Sequence, residues 1–280
     1  MKLRTGFLRL ACLAASAILV TAAPGFAWDA ATAVYYIPTT YDTSAKVGTL
    51  VKGAYAYLGT GAHSLELGHD QIALTSSGEN IQWNYLGLYT YRMPTSQWKA
   101  GYSRINGGAL IGNIGILGGA IDLYNPYGYK SWSYGLDVYG GFYDNGGTAS
   151  TVMQYMPYGT YYFLPPYLPG YATITGKVSY VSDSLTRSYL AYEAELKYYV
   201  GLWTIESQYW LGETTWGVTN GGFVINNTDD ILKDGYNIAA SYQLLPKLSG
   251  KLEYQSRRGD TTGGSRFQQT KVSYMLTYVF

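Results

Sequence analysis

This sequence is poor in charge. Charged residues make up 13 % of its 280 positions, about half of the roughly 25 % in an ordinary soluble domain. The formal net charge is +1, so there is no basic field to grip a phosphate backbone, and nucleic acid is excluded as a partner. Cysteine occurs once, at Cys12, which removes disulfide frameworks and thiolate metal centres from consideration. Histidine occurs twice, at His63 and His69. No P-loop, dinucleotide fingerprint or haem-attachment sequence is present, so no cofactor is expected. Nor does any segment beyond residue 27 approach the ~20 apolar residues of a membrane helix. The most apolar stretch, Ala109 to Ile121, is interrupted by Gly112, Asn113, Gly115, Gly118 and Gly119. What the chain has in quantity is tyrosine, 32 residues, and glycine, 35, against only 9 prolines. That composition is too apolar and aromatic for disorder, and its glycines lack the every-third period of collagen.

Residues 1–27 read as a secretory signal peptide. Lys2, Arg4 and Arg9 form the basic start, Leu10 to Ala23 the apolar stretch, and Gly25-Phe26-Ala27 a small-residue cleavage site. Cys12 lies inside this segment, which leaves residues 28–280 as a cysteine-free domain. Its 16 basic residues (19 less the three in the signal) face 18 acidic ones, a net of −2.

The dominant period along that domain is two. In Arg187 to Val200, Arg187, Tyr189, Ala191, Glu193, Glu195 and Lys197 share one face, and Leu190, Tyr192, Ala194, Leu196, Tyr198 and Val200 the other. Leu248, Leu252 and Tyr254 oppose Lys251, Glu253, Gln255 and Arg257 in the same way. Strict alternation marks half-buried strands. A soluble β-sandwich would alternate too, but three features favour a membrane barrel. Many turns are very short (Gly59 to Gly61, Pro94-Thr95, Asn106 to Gly108, Gly201). The apolar faces carry Tyr and Trp near strand ends, as the aromatic girdles of barrels do. The last strand alternates to the final residue through Val272, Tyr274, Leu276, Tyr278 and Phe280.

This closing pattern, with Tyr274, Leu276, Tyr278 and Phe280 at its core, resembles the assembly signal of Gram-negative outer-membrane β-barrel proteins. The resemblance covers the last ten residues and matches no specific family within that class. It implies an all-β, transmembrane, antiparallel up-and-down barrel in the bacterial outer membrane, with outer-membrane lipids and the barrel-assembly machinery as partners. Fourteen strands are expected, at roughly 30–38, 47–58, 62–74, 80–92, 96–105, 109–122, 131–142, 149–162, 171–182, 187–200, 202–215, 233–244, 247–258 and 267–280. Twelve would also satisfy the even-number rule, if 30–38 and the proline-bearing 149–162 were not strands. Both termini then point to the periplasm, and the longest connection, Trp216 to Leu232, falls outside. Phe163 to Gly170 falls on the periplasmic side, where it is long for such a turn, and the prolines between Tyr155 and Tyr171 suggest a loop folded into the barrel.

Alternation places Glu66, Arg92, Lys99 and Asp137 on the inner face, together with a denser set of charges on the later strands: Lys177, Glu193, Glu195, Lys197, Glu206, Lys251, Glu253, Arg257 and Lys271. One reading is a selectivity wall along a water-filled pore, since patches of side-chain charge tune which ions pass. The other is a mutually paired network filling a narrow lumen. Tyr139, Tyr189 and Tyr199 also face inward and would pack against an inserted element, which keeps open a barrel that houses a partner protein in the lumen or at the periplasmic side. The faces of 47–58, 109–122 and 149–162 stay unassigned, because neither is clearly the apolar one.

Catalytic and metal constellations are weak, and no catalytic or metal-binding residue is assigned. His69 and Asp70 are neighbours in a strand and therefore point to opposite faces, which leaves a membrane-embedded hydrolase the least favoured function. Glu193 and Glu195 share a face about 7 Å apart, with Lys177, Lys197 and Lys251 as candidate partners. Asn226, Asn227, Asp229 and Asp230 offer oxygen ligands for Ca²⁺, but their spacing fits no EF-hand.

Overall fold

The computed structural model describes residues 29–44, 46–74, 81–107, 110–145, 148–184, 186–215, 217–219, 224–225, 230–261 and 263–280. The expected signal peptide lies outside them, as do Asn226, Asn227 and Asp229. The strands are β1 (Asp29–Tyr41), β2 (Thr49–Thr60), β3 (His63–Leu74), β4 (Ile81–Met93), β5 (Ser96–Gly107), β6 (Leu110–Tyr124), β7 (Lys130–Asn145) and β8 (Thr148–Phe163). They continue with β9 (Tyr171–Asp183), β10 (Ser188–Val200), β11 (Trp203–Gly212), a short pair β12 (Val218–Thr219) and β13 (Val224–Ile225), then β14 (Ile231–Leu245), β15 (Leu248–Asp260) and β16 (Arg266–Val279). All but β12 and β13 pair in sequence order, antiparallel, and β1 pairs with β16 to close a fourteen-strand barrel. Closure satisfies every edge, which is what a sheet in lipid requires.

Both doubtful segments are strands. β1 and β8 each carry a proline, and each proline coincides with a gap in one ladder. Pro38 pairs with Leu50 of β2, but the β1–β16 register skips from Tyr36↔Tyr274 to Thr39↔Lys271. Pro157 pairs with Leu136 of β7, while the β8–β9 register skips from Tyr155↔Tyr180 to Tyr158↔Lys177. A proline has no N–H to give, so the sheet tolerates it at the loss of rungs on one side. The expected loop in the 155–171 region is thus confined to residues 164–170.

Register assigns every side chain to a wall. Odd residues of β2 and even residues of β6 and β8 face inward, which resolves the three segments that alternation left open. The outer face is apolar and uncovered: Leu117 is 64 % exposed, Ile238 55 % and Leu252 53 %. A contiguous surface of this kind is excluded in water. Aromatic residues bracket it. Tyr85 and Tyr91, Tyr155 and Tyr161, Tyr192 and Tyr198, and Tyr236 and Tyr242 lie outward, each pair six residues apart on one strand. With ~3.4 Å per residue and a ~40° tilt, the rings stand about 15 Å apart along the barrel axis, within an apolar band ~25 Å tall. Both termini, and two-residue connections at 61–62, 94–95, 201–202 and 246–247, lie at one end. The connections at 42–48 and 213–230 lie at the other.

Candidate functional site

The inner wall has two unlike halves. From β4 to β9 it is mostly apolar. Ile105, Ile114, Ile116, Tyr139, Tyr143 and Val181 are each exposed by 1 % or less, and they pack with Leu86, Leu88, Val152, Met156 and Tyr189 into one cluster inside the barrel. The polar, mixed-charge lumen expected from the sequence is therefore only part of the interior. Two charges inside this half pair with each other: Lys99 Nζ lies 2.7 Å from Asp137 Oδ2, which also accepts from the Tyr139 hydroxyl at 3.2 Å.

From β9 to β15 the wall carries a ladder of ion pairs. Lys177 Nζ donates to Glu193 Oε1 at 2.5 Å and to Glu195 Oε2 at 3.2 Å. Lys197 bridges Glu195 at 2.6 Å and Glu206 at 4.0 Å. Lys251 bridges Glu206 at 3.0 Å and Glu253 at 3.4 Å. Cross-strand register makes these contacts: Glu193 sits opposite Lys177, and Lys197 opposite Glu206. Glu193 also accepts from Trp210 Nε1 at 3.0 Å and from the Gln208 amide. Exposure grades along the ladder. The Glu193 side chain keeps 8 % of its surface, Lys251 23 % and Lys197 34 %, so the ladder is wet toward the terminus-bearing end and dry toward the other. Arg257 and Lys271 share this inner wall without joining any ion pair among the described residues. The guanidinium of Arg257 lies 4.8 Å over the Trp210 ring.

At the dry end the chain itself turns into the barrel. At Gly212 the backbone takes φ +103°, and a Cβ there would lie 2.4 Å from the Leu190 carbonyl oxygen. Only glycine makes that turn without strain. The chain leaves β11, Thr214 exchanges two 2.8 Å backbone bonds with Leu232, and Val218 of β12 enters the apolar cluster, 2 % exposed. Gln154 of β8 clamps it there: its Nε2 donates to the Val218 carbonyl at 3.0 Å, and the Val218 N–H donates to Gln154 Oε1 at 2.7 Å. Lys46, from the 42–48 connection, forms an ion pair with Asp230 and so ties a second loop to the first.

All nine lumen residues named from the sequence lie on the inner wall. Seven of them form the ladder; Arg257 and Lys271 stand apart. Tyr139 and Tyr189 belong to the buried apolar cluster that the protein's own Val218 also joins; Tyr199 instead stacks on Tyr171 at 4.3 Å. Gln154 was missed, because nothing in an alternating strand distinguishes a clamp from an ordinary inner polar residue. Tyr274, Leu276 and Tyr278 point outward on β16, and Phe280 follows it. Asp70 points inward to the Tyr35 hydroxyl, whereas His69 lies on the outer face between Trp83 and Tyr85. His63 Nδ1 meets the Tyr89 hydroxyl at 2.6 Å, also outside. Among the described residues no group of three His, Cys, Asp or Glu side chains is placed to hold a metal ion.

No family model and no curated protein sequence matches the chain. Solved structures do. A monoaromatic hydrocarbon channel, CymD, superposes with a TM-score of 0.54 at 9 % identity over 91 % of this chain and 89 % of its own. The toluene transporter TbuX of Ralstonia pickettii gives 0.52 at 9 % identity, with the same two coverages. A bacterial polysaccharide outer-membrane secretin gives 0.53 at 9 % identity, over 90 % of this chain and 98 % of its own. The fold is that of an outer-membrane β-barrel. At such low identity the likeness reaches no further than the fold, so function has to come from the walls of this particular lumen.

Proposed function

We propose that this outer-membrane barrel is a channel for passive diffusion of small polar solutes or ions, with its termini toward the periplasm and the inward-turned chain at Val218 narrowing the opposite mouth. The observation that carries the reading is the ladder from Lys177 to Glu253, whose members on β10 open to water toward the terminus-bearing end, from 8 % at Glu193 through 14 % at Glu195 to 34 % at Lys197. A network serving only to fill the barrel has no need of that gradient, whereas a path for polar solutes does. CymD and TbuX are named for aromatic hydrocarbons, but an inner wall of paired Lys and Glu favours polar cargo over such rings. We assign no catalysis to the barrel: its two histidines face outward, away from the polar lumen.

The test is single-channel conductance of the refolded barrel in a planar bilayer, with selectivity read from a salt gradient. Stepwise current is expected. Glu193→Gln, Glu195→Gln and Glu253→Gln together should shift selectivity toward anions, because the lysines they neutralise would remain. A folded barrel that passes no current, even with residues 213–230 shortened, would overturn the channel and favour a barrel built around a partner.

A further inference from the structure

We propose that the inner wall where β14, β15 and β16 meet is a binding site for a small oxyanion, a carboxylate or phosphate group, held by Arg257 and Lys271. This rests on reading the barrel as a solute channel and names the class of solute. Arg257 is 5 % exposed. Its guanidinium plane covers the Trp210 ring, and its Nε has no hydrogen-bond partner among the described residues. Lys271 faces the same wall from β16, and its Nζ likewise meets no carboxylate there. Register sets Gln269 opposite Arg257 and Gln255 opposite Lys271, so the two cations occupy a diagonal, about 7 Å apart at Cβ. The three lysines of the adjoining ladder, Lys177, Lys197 and Lys251, all have glutamate partners. These two cations do not.

Among the described residues the nearby carboxylates are already engaged. Glu193 is engaged by Lys177 and Trp210, and Glu253, on the same wall, by Lys251. Asp234 lies on the outer face and is held by Arg258. Unsatisfied polar atoms are rare in folded interiors, and Arg257 Nε is one of them, a buried donor with no acceptor among the described residues. An uncompensated buried cation is costly, and a second beside it adds repulsion. An oxyanion between them compensates both charges. The Nε edge of a guanidinium matches a carboxylate or phosphate in bidentate geometry, and Lys271 supplies the opposing point charge. The wet end of the ladder gives access, since Lys251 and Glu253 keep about a quarter of their side-chain surface open.

The test is calorimetric titration of the folded barrel in a non-ionic detergent, with inorganic phosphate and acetate as probes and glucose as the neutral control. Heat-shifted gel migration reports whether each variant is folded. The wild type should bind phosphate or acetate and not glucose. Arg257→Gln with Lys271→Gln should weaken that binding at least tenfold, and Arg257→Lys should recover part of it. Arg258→Gln, on the outer face, should leave it unchanged. Absence of anion binding to the folded wild type, or equal binding by the double variant, would overturn the site. The conductance experiment is separate: current without anion binding removes this inference and keeps the channel, while anion binding without current keeps the site and removes the channel.

Discussion

Asp137 shows how strongly one residue can depend on its partner in this lumen. Its side chain is 5 % exposed, and it holds the Lys99 ammonium in an otherwise apolar half of the barrel. Asp137→Ala would strand a buried cation, which costs about 3 kcal/mol or more. Urea unfolding from lipid vesicles should show that loss, and Lys99→Met in the same chain should restore most of it. If the single and double variants are equally unstable, the pair is not the cause. Gln154 is the other residue on which much turns. Its two bonds to Val218 contribute about 2 kcal/mol together, so Gln154→Ala should favour an undocked loop by roughly thirtyfold at that energy. Longer or larger single-channel openings would show it. Unchanged currents would mean that the loop does not limit the pore.

At the scale of strands, the abundance of glycine and tyrosine has one explanation. Tyrosine rings lie flat against the inner wall where an adjacent strand offers glycine. A Cβ on Gly53 would fall 2.2 Å from the Tyr35 ring, and one on Gly135 would fall 2.2 Å from that of Tyr158. Gly53→Val should displace Tyr35 from Asp70 and destabilise the barrel by about 1–3 kcal/mol, read as a lower urea midpoint. Strand positions were legible from sequence because the lipid-facing side is apolar nearly everywhere, and the ladder was legible because its charges alternate against that side. The inner faces of β6 and β8 were not, because Ile114, Ile116, Val152 and Met156 make them as apolar as the outer ones. Polar-in alternation holds only where water fills the lumen, and here half of it is packed. The inward turn of the chain at Val218 was equally invisible: it rests on Val218 meeting Gln154, 64 residues away, and no local pattern encodes a contact of that span.

For the whole molecule, the outer surface makes a claim about depth. Ile238 and Leu244 share the outer face of β14, the first between Tyr236 and Tyr242 and the second beyond Tyr242. Ile238→Arg should cost about 2–4 kcal/mol when the barrel folds into lipid, and Leu244→Arg about 0–1. Vesicle refolding titrations measure both, and equal costs would mean that the band between the tyrosines is not the hydrocarbon core. The cylinder also has a seam. The rungs absent beside Pro38 fall on the junction between β1 and β16, the one that joins strands from opposite ends of the chain. Amides of β16 near Val272 should therefore trade hydrogen for deuterium sooner than their counterparts in β15, so the step that closes the cylinder is made with two rungs fewer than its length allows.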